Sequence, residues 1–408
     1  MIMNTKKRIL WSAVVAFGFL VLSYFISNIP FSIKGEKMLL RRVELVKKWL
    51  GFDKNNYIDT VLFVNVNYDK IMLPVCDNDG RPLGQSPITD RQKLLQMLQY
   101  LKEKSDYKYI LLDVLFSDDV ETEWDSALFA TIESMPRIII PYHGNGYLAD
   151  EHLKGKAGLA DYFESFWVYG FTKYPYYKNN EKTLPVKMYE EVTGRHLKKW
   201  GPFYTDGRRL ANGCDFLSLD IKANTDTYDN GKQVWYNLGA NLLDDSIIGF
   251  NVIGDGTLYI PKLTKDKYIV IGSFDGDDMV STFKGRLSGA VVNYNAFCSL
   301  KKGRHTISFG FALLVFVVFF VLSWWILNEE IRQKKKNSLM EKKRLVWRLA
   351  LFLLLPLVTY SIVLQAFCVA VYLIFGKVFE VFLISTLFYY FALIVKLKNQ
   401  IQQWQKKK

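Results

Sequence analysis

Hydrophobic positions along the chain gather into four long runs, one at the start and three at the end. Between them lies a polar block in which short apolar runs alternate with charged stretches. No charge interrupts Ile9 to Ile33, Thr306 to Leu327 or Leu349 to Gly376, and the last run, Val381 to Val395, is entered past Lys377 and Glu380. A bilayer core takes about 20 apolar residues in a helix, so the pattern predicts four transmembrane helices, at residues 9–30, 306–327, 347–372 and 376–395. Residues 31–305 then form one block, long enough to bury a core of its own as one large domain or two small ones.

Inside that block the period changes. Val61 to Val66 is a short, mostly apolar run suited to a strand buried on both faces, and Tyr109 to Leu112, Arg137 to Pro141 and Tyr268 to Ile271 read the same way. Thr89 and Asp90 offer caps to an amphipathic helix, Arg91 to Lys104, in which Leu94, Leu95, Leu98 and Leu101 recur at helical spacing. Asp125 to Met135, Val186 to Thr193 and Ala290 to Leu300 are further helices. Strands alternating with helices over short connections predict an α/β fold with a largely parallel sheet. Lys34 to Leu50 is amphipathic and charged, and is expected to be a juxtamembrane helix between the first span and the sheet. No internal repeat or low-complexity tract is visible.

Charge orients the spans. Lys6, Lys7 and Arg8 precede the first; Asn328 to Arg344 holds seven basic and three acidic residues; the tail from Lys396 holds five Lys and no acid. With Arg348 these clusters account for the whole net charge of +13. The positive-inside rule puts residues 1–8, the basic loop 328–346 and the tail 396–408 in the cytoplasm, and the domain 31–305 outside. The expected location is a bacterial cytoplasmic (inner) membrane, with the domain periplasmic and both termini cytoplasmic. The basic residues sit where topology requires them, so the pI near 9.2 gives no reason to expect nucleic-acid binding. The first run exceeds a signal-peptide h-region and lacks an A-x-A-like site before Pro30, which makes it a retained anchor.

In open parallel sheets ligands bind beyond the carboxyl ends of the strands. On the strand assignments above, that edge presents Asn67 and Tyr68, Asp113, Ser117 and Asp118, His143, and Ser273 to Asp278. Asn67, Arg91, Asp113, Asp118 and Asp278 are the candidate ligand-binding set, able to hold a polar ligand or a cation. The alternative is structural: Asp113 and Asp118 cap turns, and Asp278 pairs with Arg91 between the two halves of the domain. Asp275 to Asp278 and Asp77 to Gly80 look like calcium loops but lack the closing Glu, so turn chemistry accounts for them. The four His are dispersed, and no nucleophile elbow, P-loop or dinucleotide fingerprint occurs. Neither an enzyme, a metal site nor a cofactor is expected.

Of the four Cys, three fall outside and Cys368 lies within a span, so at most one bridge forms, with Cys76 and Cys214 the candidate pair. Nine aromatics between Tyr162 and Tyr177 form either a packed core over the sheet or a stacking face. Within the spans, Ser308, Ser323, Thr359, Gln365, Ser385 and Thr386 can hydrogen-bond between helices.

Several phrases, in order, resemble the second class of CHASE domains, the extracellular sensory modules associated with cyclases and histidine kinases. They are Ile88 to Arg91, Tyr109 to Asp118 and Asp125 to Leu128, then Tyr268 to Ser273, Asp278, Thr282, Gly289, and Asn295 with Ala296. The anchor before and three helices after repeat that family's layout. Where such proteins continue into a cytoplasmic kinase or cyclase, thirteen residues follow Val395 here, so a separate partner is expected to supply the output. The resemblance implies a membrane-anchored sensor that detects a small ligand or a protein and signals through its helices. The alternative is a scaffold subunit of a bacterial envelope complex. Asn65, Asn67 and Tyr68 stand where that family often has Asp-rich phrasing.

Overall fold

The computed structural model describes residues 5–30, 32, 34–51, 61–67, 69–76, 79, 81–116, 121–144, 151–161, 171–221, 235–237, 264–274, 279–340 and 345–405. In chain order its elements are α1 (Thr5–Ser27), α2 (Lys34–Trp49), β1 (Val61–Asn65), β2 (Lys70–Cys76), β3 (Pro82–Thr89), α3 (Arg91–Lys104), β4 (Tyr109–Leu112), α4 (Asp125–Ser134), β5 (Ile138–Tyr142) and β6 (Ala157–Leu159). There follow β7 (Lys173–Pro175), β8 (Tyr177–Lys178), β9 (Glu181–Lys182), α5 (Leu184–Thr193), β10 (Leu197–Trp200), β11 (Phe203–Asp206), β12 (Arg209–Ala211), β13 (Cys214–Phe216) and β14 (Trp235–Asn237). The chain ends with β15 (Tyr268–Gly272), β16 (Met279–Thr282), β17 (Gly285–Ser288), α6 (Gly289–Lys301), α7 (Phe309–Met340), α8 (Leu345–Phe375) and α9 (Val381–Gln405).

The chain divides into two units. One comprises residues 51–197 and 217–303; the other comprises 1–50, 198–216 and 304–408. The block read in the sequence as residues 31–305 therefore contributes to both.

In the first unit a six-stranded sheet runs in the order β14-β1-β15-β4-β5-β6, and every pairing is parallel. Its central strands are apolar except at Asn65, the last residue of β1, because both faces are covered. Leu62, Val64, Ile110, Leu112, Ile138, Ile140, Ile269 and Ile271 share one core with Leu94, Leu98 and Leu101 of α3 and with Leu128 and Ile132 of α4. On the opposite face, Phe63 and Tyr268 meet Tyr294 of α6 at centroid distances of 6.3 and 5.9 Å. The expected strands and the helices on them are all present, and the expected α/β, largely parallel class is found.

An antiparallel hairpin of β2 and β3 is added between β1 and α3. Its strands carry Pro74, Pro82 and Pro87, which sequence rules place only at sheet edges. In the aromatic-rich stretch, Phe171, Tyr174 and Tyr176 are buried, and the Tyr174 hydroxyl donates to Asn293 Oδ1 at 2.6 Å. Those three are core; residues 162–170 lie outside the described residues.

The second unit contains four helices long and apolar enough to cross a membrane: Thr5–Ser27, Phe309–Asn328, Leu357–Phe375 and Val381–Lys398. They pack through Ala16, Phe319, Leu364 and Phe388, with the Phe19 and Phe388 rings 4.2 Å apart. Arg8 donates to Asn328 Oδ1 at 2.9 Å, so the start of α1 lies beside the far end of the α7 span. Helix α2 is present as expected, and it packs on α8 and α9: Leu39 and Val43 join their core, Arg42 donates to Gln365, and the Glu36 carboxylate accepts from Phe382 N at 2.8 Å. That last bond satisfies a backbone donor at the start of α9, where a carboxylate also meets the positive end of the helix dipole.

Two sequence expectations change here. Ser385 and Thr386 donate to the Phe382 carbonyl of their own helix, as hydroxyls commonly do inside helices, instead of reaching a neighbour. Cys214 is buried and forms no disulfide, so the bridge to Cys76 is not formed. Residues 198–216 fold with the spans through two polar side chains, Tyr24 in α1 and Asn28 just after it. The Tyr24 hydroxyl donates to Ala211 O at 3.2 Å and accepts from Tyr204 N at 3.0 Å, and Asn28 Oδ1 accepts from Gly213 N at 2.5 Å.

Candidate functional site

The carboxyl ends of the parallel strands open into a cavity of about 370 Å³, within the ~300–1,000 Å³ range of small-molecule sites. Val66 follows β1, Asp113 follows β4, Pro141 and His143 end and follow β5, and Ser273 follows β15; all line it. The hairpin adds Lys70, Pro87, Ile88 and Thr89, α3 adds Arg91, and α6 adds Gly289 and Asn293. Parallel strands deliver these residues to one edge because each reaches that edge at its own carboxyl end.

Backbone features bring the strand ends close. At Gly272 a Cβ would lie 2.9 Å from the Ala290 Cβ and 3.3 Å from the Asp113 Cβ, so only glycine lets β15 pass between α6 and the end of β4. Asn65, fully buried, accepts through Oδ1 from Asn67 N at 3.1 Å and from Phe274 N at 3.4 Å. Ser273 donates its hydroxyl to Asn67 Oδ1 at 3.1 Å. The loops after β1 and β15 are thus tied together by two asparagines. Asn67 serves as a brace here, and Asn65, outside the candidate set, does as much.

Arg91 is the first residue of α3, whose cap Asp90 accepts from Lys93 N at 3.1 Å. Its side chain is 3% exposed as a residue. The guanidinium lies 4.4 Å over the Phe116 ring, Nε is 3.6 Å from Asp125 Oδ1, and Nη2 reaches Leu115 O at 3.5 Å. Nη1 has no hydrogen-bond partner. Burial lowers the Arg91 pKa and Asp125 opposes that shift. Among the described residues the acid facing Arg91 is Asp125, to which the sequence reading assigned no pairing role. Asp113 lines the same cavity as Arg91. Asp118 and Asp278, like the Asp275 to Asp278 loop, lie outside the described residues.

His143 stands at the rim. Its Nδ1 is 2.7 Å from Asp161 Oδ1, and a carboxylate acceptor fixes the proton on that nitrogen. Asp161 also accepts from Lys178 at 2.8 Å and from Gly144 N at 3.3 Å. Burial pushes Asp161 up, but the hydrogen bonds from Lys178, His143 and Gly144 outweigh it and hold the carboxyl below its usual range. Among the described residues no group of three or more His, Cys, Asp or Glu converges as a metal site would require.

No protein-family model, curated protein or solved structure matches the chain. The chemistry of the edge has to speak alone. Among the described residues, Lys70, Arg91 and Asp113 leave the lining with one net positive charge. Such a pocket favours a small polar anion, with the Arg91 fork as the group still short of an acceptor.

Proposed function

We propose that the protein is a membrane-anchored sensor of a small polar anion, bound at the carboxyl edge of the parallel sheet, and that it passes its ligand state to a separate partner through its membrane helices. The observation that carries this reading is Arg91: buried, lining the cavity, and with Nη1 unbonded. A buried guanidinium with an unmet donor is costly, and an anion in the cavity relieves that cost. The Ser273 hydroxyl is engaged with Asn67, which favours binding over nucleophilic chemistry.

The sensing unit is placed on the extracytoplasmic side of a bacterial inner membrane, with both termini inside. Support comes from the basic clusters at Lys6–Arg8, Lys334–Lys336 and Lys396, and from the Arg8–Asn328 bond that brings the first two to one end of the bundle. The likeness to CHASE-type sensory domains agrees with this reading. The units are joined covalently at residues 50/51, 197/198, 216/217 and 303/304, so a change in one has four chain crossings into the other.

The test is a thermal-shift panel on the full chain in nanodiscs: phosphate, sulfate, succinate, malate, aspartate and glutamate against glucose and glycerol. A ligand at a hundredfold excess over Kd stabilises by about 2.7 kcal/mol. At least one anion should shift the melting temperature and the neutral compounds should not. If none does while affinity purification returns a stoichiometric membrane complex, the chain is a scaffold subunit instead.

A further inference from the structure

The membrane unit contains a second cavity, of about 200 Å³, where α1 ends, α7 begins and α8 turns into α9. Its walls include Val21, Phe311 and Val315, and three charged side chains interrupt them: Arg304, Lys377 and Asp215. Together these leave one net positive charge. Lys377 is 8% exposed, its Nζ has no hydrogen-bond partner, and it rests 5.2 Å from the centroid of the Phe311 ring that lines the cavity. Arg304 is held over the helix end at Gly376 (φ +66), where a Cβ would come within 3.1 Å of its Nε. The Tyr24 hydroxyl, bonded to backbone at this level, is the kind of anchor found at the headgroup depth of a bilayer.

We propose that this cavity is a lipid site that takes one anionic phospholipid, with its phosphodiester against Lys377 and Arg304 and an acyl chain along Val21, Phe311 and Val315. The single negative charge of a phosphodiester matches the single net positive charge of the lining. Free inorganic phosphate fits the cations but leaves the apolar walls unfilled, so the lipid is the better occupant. A cation near the edge of the hydrocarbon is costly without such a counter-ion.

The experiment is native mass spectrometry of the detergent-extracted full chain, exchanged against an equimolar mixture of palmitoyl-oleoyl phosphatidylglycerol and phosphatidylcholine. The wild type should retain phosphatidylglycerol over phosphatidylcholine by about fivefold, the weight of one basic side chain on an anionic lipid. Lys377→Met should bring retention close to parity, and Lys377→Arg should keep the preference. Ala312→Trp, which fills the cavity from α7 with the charges intact, should lose the bound lipid and carries the test if Lys377→Met does not fold. Equal retention of both lipids by the wild type, or unchanged retention in Ala312→Trp, overturns the proposal. So does displacement of the lipid by millimolar inorganic phosphate alone. None of these outcomes depends on the anion site in the other unit.

Discussion

Neutralising Asp125 should unfold the sheet unit far more readily than neutralising Arg91. At the 3.6 Å separation of Nε and Oδ1, two unit charges attract by about 4–5 kcal/mol at an effective dielectric constant near 20. Loss of one partner of a buried pair costs about 3–5 kcal/mol, because the survivor keeps its desolvation without its counter-charge. The survivors differ here. After Arg91→Met, Asp125 still accepts from Thr122 N at 2.9 Å and Thr122 Oγ1 at 3.0 Å. After Asp125→Asn, Arg91 keeps, among the described residues, the Phe116 face and a 3.5 Å bond to Leu115 O. Asp125→Asn should therefore cost about 3 kcal/mol and Arg91→Met about 1–2 kcal/mol, with the double variant below their sum. Hydrogen exchange of the full chain in nanodiscs reads this directly in α3 and α4. Protection there should fall on the order of 150-fold in Asp125→Asn, since each tenfold is about 1.4 kcal/mol. Protection within threefold of wild type, or a larger loss in Arg91→Met than in Asp125→Asn, refutes the reasoning.

Other perturbations test separate parts of the account. Gly272→Ala forces a Cβ to 2.9 Å from Ala290 and should cost about 1–3 kcal/mol by overpacking, read as a lower melting temperature. Burial first, and then the 2.6 Å hydrogen bond to Glu191, raise the Tyr109 phenol well above its usual pKa. The unfolded chain ionises Tyr near pH 10 and the folded chain does not. Its contribution is therefore complete below pH 10 and is lost as pH rises beyond that, so Tyr109→Phe should flatten the alkaline limb of a urea stability profile between pH 8 and 11. Single Cys at Ser86 and Asn180, in a background without the native Cys, should label in intact cells, whereas Cys at Ser338 should label only after permeabilisation; labelling of Ser338 from outside reverses the proposed orientation.

The spans and the parallel sheet were legible because each rests on a local pattern. Val61 to Val64, Tyr109 to Leu112 and Tyr268 to Gly272 are apolar throughout, as strands buried on both faces must be, and α3 announced itself by Asp90 and its leucine spacing. The hairpin of residues 70–89 was hidden because its prolines and its exposed positions erase the strand signal. The grouping of residues 198–216 with α1 rests on Tyr24 and Asn28 bonding partners some 180 residues away, and no periodicity encodes that. At the site, the strand-edge argument put Asn67, Arg91, Asp113, His143 and Ser273 near one another. It did not foresee Asp125 beside Arg91, because Asp125 already had a local explanation as the start of α4, and the expected partner Asp278 lies outside the described residues.

The central claim is that an anion occupies the edge cavity, and a hydrogen-exchange difference map tests it most directly. The full chain in nanodiscs is compared with and without the anion of the panel that gives the largest thermal shift, beside Lys70→Ala and His143→Ala, two exposed cavity residues. The account predicts added protection in segments 66–70, 87–91, 113–116, 141–144 and 273–274, weakened in both variants. A panel in which no anion shifts the protein, or protection confined to other segments and indifferent to both variants, contradicts it.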